Sequence, residues 1–284
     1  MSKIILTADS PCDLSKEFIE RYNVKAICPL HINLGEKSYD DGVNITPDEI
    51  YKNFENTGVL PKTSAVNTQE YIDTFKPYIE QGYQIIHINI GSALSCSYQN
   101  CCKAAEELGN IYPIDSCSLS TGIGLIVIEA AERIVKGMEI EQIVKEVKAV
   151  TSNCQASFVV DKLDYLRAGG RCSTLTMLGA NLLKIKPCIE VNNADGSMTV
   201  GKKYRGKFEA VLAQYTKERL AMFDNIKKDR VFITHAGVTQ EQIDIVNDIL
   251  KDSNKFDEIV VARVGSTISS HCGPGTLGVI FMTE

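Results

Sequence analysis

The sequence predicts an α/β fold with two domains, and three observations support this. In the first half, short runs rich in β-branched residues alternate with amphipathic helical patterns, which is typical of a parallel sheet covered by helices. In the second half, strand patterns are more frequent and two of them form a hairpin, which indicates a mixed sheet. The length of 284 residues allows two ordinary domains. We predict a three-layer α/β/α domain with a parallel sheet at residues 1–154 and a mixed six-stranded α/β domain at residues 155–284.

The elements of the first half follow from local patterns. Thr46, Pro47 and Glu49 form a capping box with proline at the first helical position, so a helix begins there. Tyr39–Gly42 is predicted to be a turn and Pro61–Ala65 a polar loop. The other predicted elements are strands at 3–8, 24–34 (broken at Pro29), 84–90 and 111–114, and helices at 68–82, 98–108, 120–136 and 140–151. A further helix through Arg21 is predicted to be capped by either Asp13 or Ser15.

The second half has its own signals. The segment Asn192–Ser197 contains Asn, Asp and Gly between two apolar runs, which predicts a hairpin turn. An apolar helix is predicted from Ser173 or Thr174 to Leu183, and a tight exposed turn at His271–Gly275. The other predicted elements are strands at 156–161, 187–191, 198–204, 231–235, 259–264 and 277–282, and helices at 207–223 and 240–250.

Composition excludes several classes of partner. The net charge is −6 and no basic stripe is present, which argues against nucleic acid and anionic membrane surfaces. The first residues do not resemble a signal peptide, and the apolar runs are too short for stable membrane insertion. We therefore expect a cytoplasmic protein whose ten cysteines are reduced. No Cys-x-x-Cys or other metal-ligand spacing occurs, so we expect no metal and no cofactor, and Cys154 and Cys188 are predicted to be core residues.

A serine-rich turn follows the strand at 84–90. Gly91 begins the turn, Ser92, Ser95 and Ser97 follow, and a helical pattern starts directly after them. Free N–H groups and the helix dipole favour an anion at such a helix start, although serines there are often only N-caps. The Walker and Gly-x-Gly-x-x-Gly spacings are absent from this turn. A carboxylate or a single phosphate is therefore the anion expected.

A serine hydrolase is the main alternative. Ser95, His271 and Asp115 supply the residue types of a catalytic triad. The Gly-x-Ser-x-Gly pattern of a nucleophile elbow is absent, which disfavours this interpretation. A module that binds a small anion without lipid is a further alternative.

Six segments along the chain resemble the DegV family in the order in which that family has them. They are Thr7–Leu14 (TADSPCDL), Pro61–Ser64 (PKTS), Gly91–Gln99 (GSALSCSYQ), Asp115–Ser116, Leu163–Arg171 (LDYLRAGGR) and His271–Gly278 (HCGPGTLG). Three features depart from the family pattern. Gly91 replaces a serine, Cys96-Ser97 replaces Gly-Thr, and Ala65-Val66 replaces Gln-Pro.

The resemblance implies a two-domain fold that binds one long-chain fatty acid between its domains. It also implies a non-enzymatic carrier that presents the acid to a separate ATP-dependent fatty acid kinase, which makes the acyl phosphate. By the match, the residues that bind the fatty acid are Thr63, Ser95, Ser92, Ser64 and His271. Arg205 and Arg171 resemble positions that contact the kinase.

Overall fold

The computed structural model describes residues 3–178 and 185–284 as an α/β fold with three sheets. The strands are β1 (Lys3–Asp9), β2 (Val24–Cys28), β3 (His31–Leu34), β4 (Lys37–Asp40), β5 (Lys62–Ser64), β6 (Tyr83–Asn89), β7 (Ile111–Asp115), β8 (Cys154–Gln155), β9 (Ser157–Val160), β10 (Lys186–Val191), β11 (Met198–Tyr204), β12 (Ile226–Ala236), β13 (Glu258–Arg263) and β14 (Thr276–Thr283). The α-helices are α1 (Lys16–Arg21), α2 (Pro47–Thr57), α3 (Thr68–Glu80), α4 (Ser97–Leu108), α5 (Thr121–Val135), α6 (Ile140–Val150), α7 (Asp164–Gly169), α8 (Phe208–Ala221), α9 (Gln240–Ser253) and α10 (Ser266–Cys272).

The first sheet is parallel, as predicted, with the strand order β2-β1-β6-β7. Its central strands are almost fully buried because helices pack on the sheet: α3 and α4 contact β6, and α5 contacts both β1 and β6. The predicted helix starts are confirmed at Ser15, whose side chain accepts the Phe18 N–H, and at Thr46, which forms a full capping box with Glu49. Elements β1 to α6 are called the N-terminal lobe below.

The second large sheet is mixed, as predicted. Its main path has six strands in the order β11-β10-β9-β14-β12-β13, with β12 and β13 parallel and the other pairs antiparallel. The two-residue strand β8 pairs with β14 as a seventh strand that the sequence pattern does not reveal. The predicted hairpin joins β10 to β11. Elements β8 to β14 are called the C-terminal lobe, and a domain boundary between residues 154 and 155 remains a prediction.

A third sheet corrects two predictions of irregular structure. It is antiparallel with the order β4-β3-β5, and it contains Tyr39 and Asp40 of the predicted turn and Lys62–Ser64 of the predicted loop. These strands are short and mostly polar, so they lack the apolar alternation that marks a strand in a sequence. The pairing matters for function because it fixes Thr63 opposite Ile32 and Ser64 opposite His31.

Two predictions in the C-terminal lobe also change. His271 was expected in an exposed turn, but it lies in the last turn of helix α10, whose residues Ser266–Ser270 are buried. Burial explains the error, because the serine-rich sequence of α10 looks like a surface loop although it packs between the lobes. The predicted apolar helix from Ser173 or Thr174 begins as a 3₁₀ helix at Ser173–Leu178, and its remaining part at 179–184 lies outside the described residues.

The lobes share one large core. A continuous cluster of buried apolar side chains runs from the parallel sheet through α5 to Phe158, Phe232 and Ile280 of the mixed sheet. A smaller cluster of Ile32, Ile50 and Tyr165 joins the three-stranded sheet and α2 to α7. As a result, α10 of the C-terminal lobe lies directly against β3 and β5, and Tyr165 of α7 packs against Tyr51 and Phe54 of α2.

The sequence also predicts reduced cysteines and no membrane-spanning segment. All ten cysteines lie in the described part of the chain, and each has a free thiol. Cys154 and Cys188 are buried, which confirms their assignment to the core. Among residues 3–178 and 185–284, every helix is too short or too polar to cross a lipid bilayer.

Candidate functional site

The candidate site is a cavity of about 280 Å³ between the two lobes. Hydroxyl groups, one histidine and one arginine lie on its wall together with apolar side chains. The lining residues are Leu30, Thr63, Ser64, Ala65, Ile90, Leu94, Ser95, Cys96, Leu119, Arg171, Thr267, Ile268, His271 and Cys272. Thr63, Ser64, Ser95 and His271, four of the residues predicted to bind a ligand, therefore meet at one cavity. The described lining does not include Ser92.

Thr63 and His271 are hydrogen-bonded across the lobes. Thr63 Oγ1 on β5 lies 2.7 Å from His271 Nε2 on α10, although the two residues are 208 positions apart in sequence. Burial, together with the nearby Arg171 guanidinium, lowers the pKa of His271 to about 4. His271 is therefore neutral at pH 7 and carries one ring proton.

The surroundings of His271 indicate which nitrogen carries that proton. Nδ1 is buried and has no hydrogen-bond partner among the described residues. A buried N–H without an acceptor costs more than a buried lone pair without a donor, so the proton belongs on Nε2. Nε2 then donates to Thr63 Oγ1, and the Thr63 hydroxyl is left to donate its own proton to a group in the cavity. Because a carboxylate accepts hydrogen bonds only, this arrangement suits a carboxylate ligand.

A glycine makes room for the histidine ring. A Cβ atom built on Gly169, the last residue of α7, would lie 2.4 Å from His271 Nδ1. Any larger residue at position 169 would push the ring away from Thr63. In the sequence, Gly169 stands out only as part of the segment Leu163–Arg171, because its role depends on a contact between α7 and α10.

Ser95 stands on the opposite wall, just before helix α4. Its Oγ accepts the Ser97 N–H at 3.2 Å and lies 3.0 Å from Ser97 Oγ. The N-cap residue of α4 is Cys96, which makes no side-chain capping bond. Ser95 therefore satisfies one N–H group at the start of α4, as a serine near a helix start often does, and the anion site at this turn remains a prediction.

Of the other predicted residues, Arg171 and Ser64 line the cavity, whereas Ser92 and Arg205 do not belong to its described lining. Arg171 Nη1 donates to the Gly169 carbonyl at 2.8 Å, so its guanidinium stands at the cavity. Ser92 donates its N–H to Asp115, and Ser64 accepts a hydrogen bond from the Asn33 side chain. Arg205 is exposed in the turn after β11 and is not part of the described lining.

The three residues of the alternative triad do not form a relay. His271 Nε2 is bonded to Thr63 and its Nδ1 has no described partner, whereas a triad needs a carboxylate at that atom. Asp115 instead accepts the N–H groups of Ser92 and Cys117. Ser95 and His271 line the same cavity but are bonded to other residues. Ser95 Oγ is bonded to Ser97, and His271 Nε2 is bonded to Thr63.

A second cleft between the lobes has a different chemistry. It has a volume of about 530 Å³ and ends at the start of α10. Asp13, Asp41 and Arg263 are among its lining residues. Asp13 and Asp41 accept the N–H groups of Gly265 (2.8 Å) and Ser266 (2.7 Å), and burial raises the pKa of Asp13 to about 8. The two N–H donors at the start of α10 are therefore already occupied, so the first cavity is the better carboxylate site.

A buried polar cluster lies deeper, at the ends of β1 and β6. The Asp9 carboxylate accepts hydrogen bonds from Tyr71 (2.6 Å), from the Ile90 N–H (2.9 Å) and from the Asn89 side chain (3.3 Å). It also pairs with His87 Nε2 at 3.0 Å, and both side chains have an exposed fraction of 0%. The bond to Ile90 fixes the backbone one residue before Gly91, where the serine turn begins.

Comparison with known proteins gives a consistent picture. A family model described as "Uncharacterised protein, DegV family COG1307" matches residues 3–284. A DegV domain-containing protein of Clostridium perfringens is 34% identical over 288 residues, covering 100% of both chains. A solved structure described as fatty acid binding of a DegV family protein from Thermus thermophilus is 25% identical and covers 99% of this chain and 100% of its own, with a TM-score of 0.91. A stearic acid-binding protein from Eubacterium ventriosum is 29% identical and covers 99% of this chain and 98% of its own, with a TM-score of 0.84.

Proposed function

The chain belongs to the DegV family, and on this premise we propose that it is a carrier that binds one long-chain fatty acid between its lobes. The carboxylate accepts hydrogen bonds from Thr63 and Ser95, and the tail runs along the apolar part of the cavity wall. The observation that supports this most strongly is the polarity of the cavity. Donor hydroxyls and a neutral histidine stand on its wall, and Ile90, Leu94, Leu119 and Ile268 line the rest.

The energetics fit a ligand of this kind. Each buried methylene contributes about 0.8 kcal/mol, so a sixteen-carbon chain yields on the order of 10 kcal/mol of gross transfer free energy. The cost of association reduces this figure, but the tail still dominates the affinity. The head group then needs only a few charge-assisted hydrogen bonds of about 1.5–3 kcal/mol each.

We further propose that the bound acid is the substrate of a separate ATP-dependent fatty acid kinase. Hydroxyl donors leave the carboxylate oxygens free to react, whereas a bidentate arginine would compete with a phosphoryl donor. Arg171 at the cavity and Arg205 on the exposed turn after β11 are the cationic residues that we assign to kinase contact. The carrier itself supplies no general base in this scheme, because the His271 ring is held as a donor to Thr63.

Extraction of the purified protein followed by mass spectrometry tests the binding step. We expect one C14–C18 acid per chain, or uptake of one equivalent on incubation with palmitate. The Thr63→Ala/Ser95→Ala double variant should retain less acid while unfolding at the same urea concentration as the wild type. Ser38→Ala/Thr199→Ala, at two exposed positions, is the matched control.

Three outcomes would contradict the proposal. Failure to take up any acid removes the carrier function, and tight binding of acetate or phosphate alone points to a small-anion module. Turnover of a fatty ester that disappears in Ser95→Ala points to a hydrolase. The kinase step is tested separately: the loaded protein, a purified bacterial fatty acid kinase and ATP should give an acyl phosphate that hydroxylamine traps. Arg205→Ala should lower that rate without changing the affinity for the acid.

A further inference from the structure

Helix α10 carries a buried hydroxyl group that has no hydrogen-bond partner among the described residues. This group is Oγ1 of Thr267, a residue that is 2% exposed. Two other hydroxyls of α10 are paired: Ser266 Oγ donates to the Ile45 carbonyl at 3.1 Å, and Ser270 Oγ donates to the Ser266 carbonyl at 2.8 Å. A buried polar group without a partner destabilises a protein, so the Thr267 hydroxyl requires an explanation.

Thr267 lies at the cavity of the candidate site. It belongs to the described lining, whereas Ser269, whose buried Oγ is also unpaired among the described residues, does not. Thr267 comes four residues before His271, so the two side chains share one face of α10. Side chains of a helix lean toward its N-terminus, so the His271 ring leans over the turn that carries Thr267. Because Thr63 is bonded to this ring at 2.7 Å, Thr63 and Thr267 face the same part of the cavity.

The Thr267 hydroxyl differs from the other hydroxyls of the described lining. Thr63, Ser64 and Ser95 each make a hydrogen bond within the protein, whereas the Thr267 hydroxyl is shielded from water and makes none among the described residues. A threonine on a helix populates two χ1 rotamers that place its hydroxyl differently, so this hydroxyl can turn toward a group in the cavity. Under the proposed function that group is a carboxylate, whose two oxygens offer about four acceptor positions. Thr63 and Ser95 occupy two of them.

We propose that Thr267 is a third donor to the carboxylate and determines the specificity for the head group. This rests on the proposed function and deepens it by naming the ligand class, which is the free acid in its ionised form. A hydrogen bond to an ionised acceptor is about twice as strong as one between neutral groups, so a third donor favours the acid over an alcohol of the same chain length. The three donors come from β5, from the turn before α4 and from α10, so the bound head group joins both lobes.

Competition binding with the delipidated full-length protein tests the role of Thr267. Thr267→Val keeps the shape of the side chain and removes the donor, so it should bind hexadecanoic acid about 10-fold more weakly than the wild type does. Its affinity for 1-hexadecanol, which offers no charged acceptor, should change by about threefold or less. Thr267→Ser retains the hydroxyl and should keep the affinity for the acid within about threefold of the wild type. The urea midpoint of delipidated Thr267→Val should not fall, because the hydroxyl that is removed has no described partner.

Thr216→Val is the matched control. Thr216 is a buried threonine of α8 whose Oγ1 donates to the Leu212 carbonyl at 2.8 Å, and it is not part of the described cavity lining. Its substitution should leave the affinity for both ligands unchanged.

Three results would overturn the assignment of Thr267 and leave the carrier function intact. They are a loss of affinity for the acid of less than about twofold in Thr267→Val, an equal loss for the acid and the alcohol, and a loss of the same size in Thr216→Val. Failure of the wild type to bind hexadecanoic acid would instead refute the carrier function itself.

Discussion

Two polar clusters lie near the carboxyl ends of the parallel strands. They differ in whether their hydrogen-bonding atoms are all paired within the protein or face a cavity. The closed cluster, Asp9 with Tyr71, His87 and Asn89, satisfies its carboxylate entirely within the N-terminal lobe. The open cluster, Thr63, Ser95 and His271, is assembled from both lobes and faces a cavity. Similar residue types are therefore satisfied internally in one place and face a cavity in the other, where we propose that they bind a ligand, and the difference lies in whether donors remain free.

The largest expected effect comes from the closed cluster. Asp9→Ala leaves His87, Tyr71 and the Ile90 N–H without their shared acceptor, so the free energy of unfolding should fall by about 3–5 kcal/mol. Urea denaturation measures this loss. Asp73→Asn, an exposed carboxylate on α3, should change stability by less than about 0.5 kcal/mol. If Asp9→Ala weakened fatty acid binding and left stability unchanged, the closed cluster would belong to the ligand site.

The second effect is a pH dependence caused by His271. Its pKa is about 4 in the folded protein and about 6.5 in the unfolded chain, so between these pH values the unfolded state binds a proton that the folded state does not. The contribution of His271 to stability should therefore decrease as the pH falls, by about 2 kcal/mol between pH 7 and pH 5. Burial raises the pKa of Asp13 to about 8, which acts in the opposite direction, so the contribution of His271 is measured as a difference between wild type and a variant without the ring, by urea unfolding of the delipidated proteins at both pH values.

The comparison variant is His271→Gln, which lacks the titrating ring, so its stability should decrease less, or increase more, than that of the wild type as the pH falls from 7 to 5. His31 acts in the opposite direction in both proteins. Its own burial lowers its pKa, but hydrogen bonds to Asp40 (2.8 Å) and Glu70 (3.1 Å) outweigh this and raise it. Equal pH profiles for wild type and His271→Gln would show that His271 titrates normally.

The third effect separates the open cluster from the closed one. Thr63→Val keeps the shape of the side chain but removes the donor, so the affinity for palmitate should fall by about 10- to 100-fold, equivalent to about 1.5–3 kcal/mol. Stability should change by no more than about 1 kcal/mol, because Thr63 is only partly buried. Calorimetric titration and urea unfolding of the same sample test both statements, and Thr199→Val on the exposed side of β11 is the control.

The smallest effect concerns the support of His271. Gly169→Ala places a methyl group against the His271 ring and should cost about 1 kcal/mol of stability, the low end for such a clash, because the ring borders the cavity and can shift. In a His271→Ala background the contact is gone, so the same substitution should cost almost nothing, and a double-mutant cycle measures the coupling. Additive effects of the two substitutions would show that Gly169 does not position the ring.

Local signals in the sequence predicted much of the fold. The capping box at Thr46 and Glu49, the cap at Ser15 and the hairpin at Asn192–Ser197 are decided by neighbouring residues, so a single sequence reveals them. Strand β5 was missed because three polar residues form a strand only by pairing with β3. Helix α10 was missed because its burial depends on packing between the lobes.

The candidate site could be predicted only in part. The serine turn before α4 indicated, from local sequence, either an anion site with Ser92, Ser95 and Ser97 or simple helix capping, and Ser95 is the one of these serines in the described cavity lining. The pairing of Thr63 with His271 could not be derived from local patterns, because it depends on β5 and α10 meeting across 208 residues. Resemblance to the family supplied those residues, whereas the space that Gly169 leaves for the ring and the position of Thr267 at the cavity became visible only in the structure.

The way in which α10 begins limits how the two halves of this protein can be recombined. Gly265 offers no side chain to cap the helix, and the capping carboxylates come from Asp13 and Asp41 in the other lobe. A chimera that joins the C-terminal half to the N-terminal half of a distant relative would inherit an uncapped helix unless both aspartates came with it. The helix that carries His271 is thus maintained by residues that the C-terminal half does not encode, and the two halves have to evolve together.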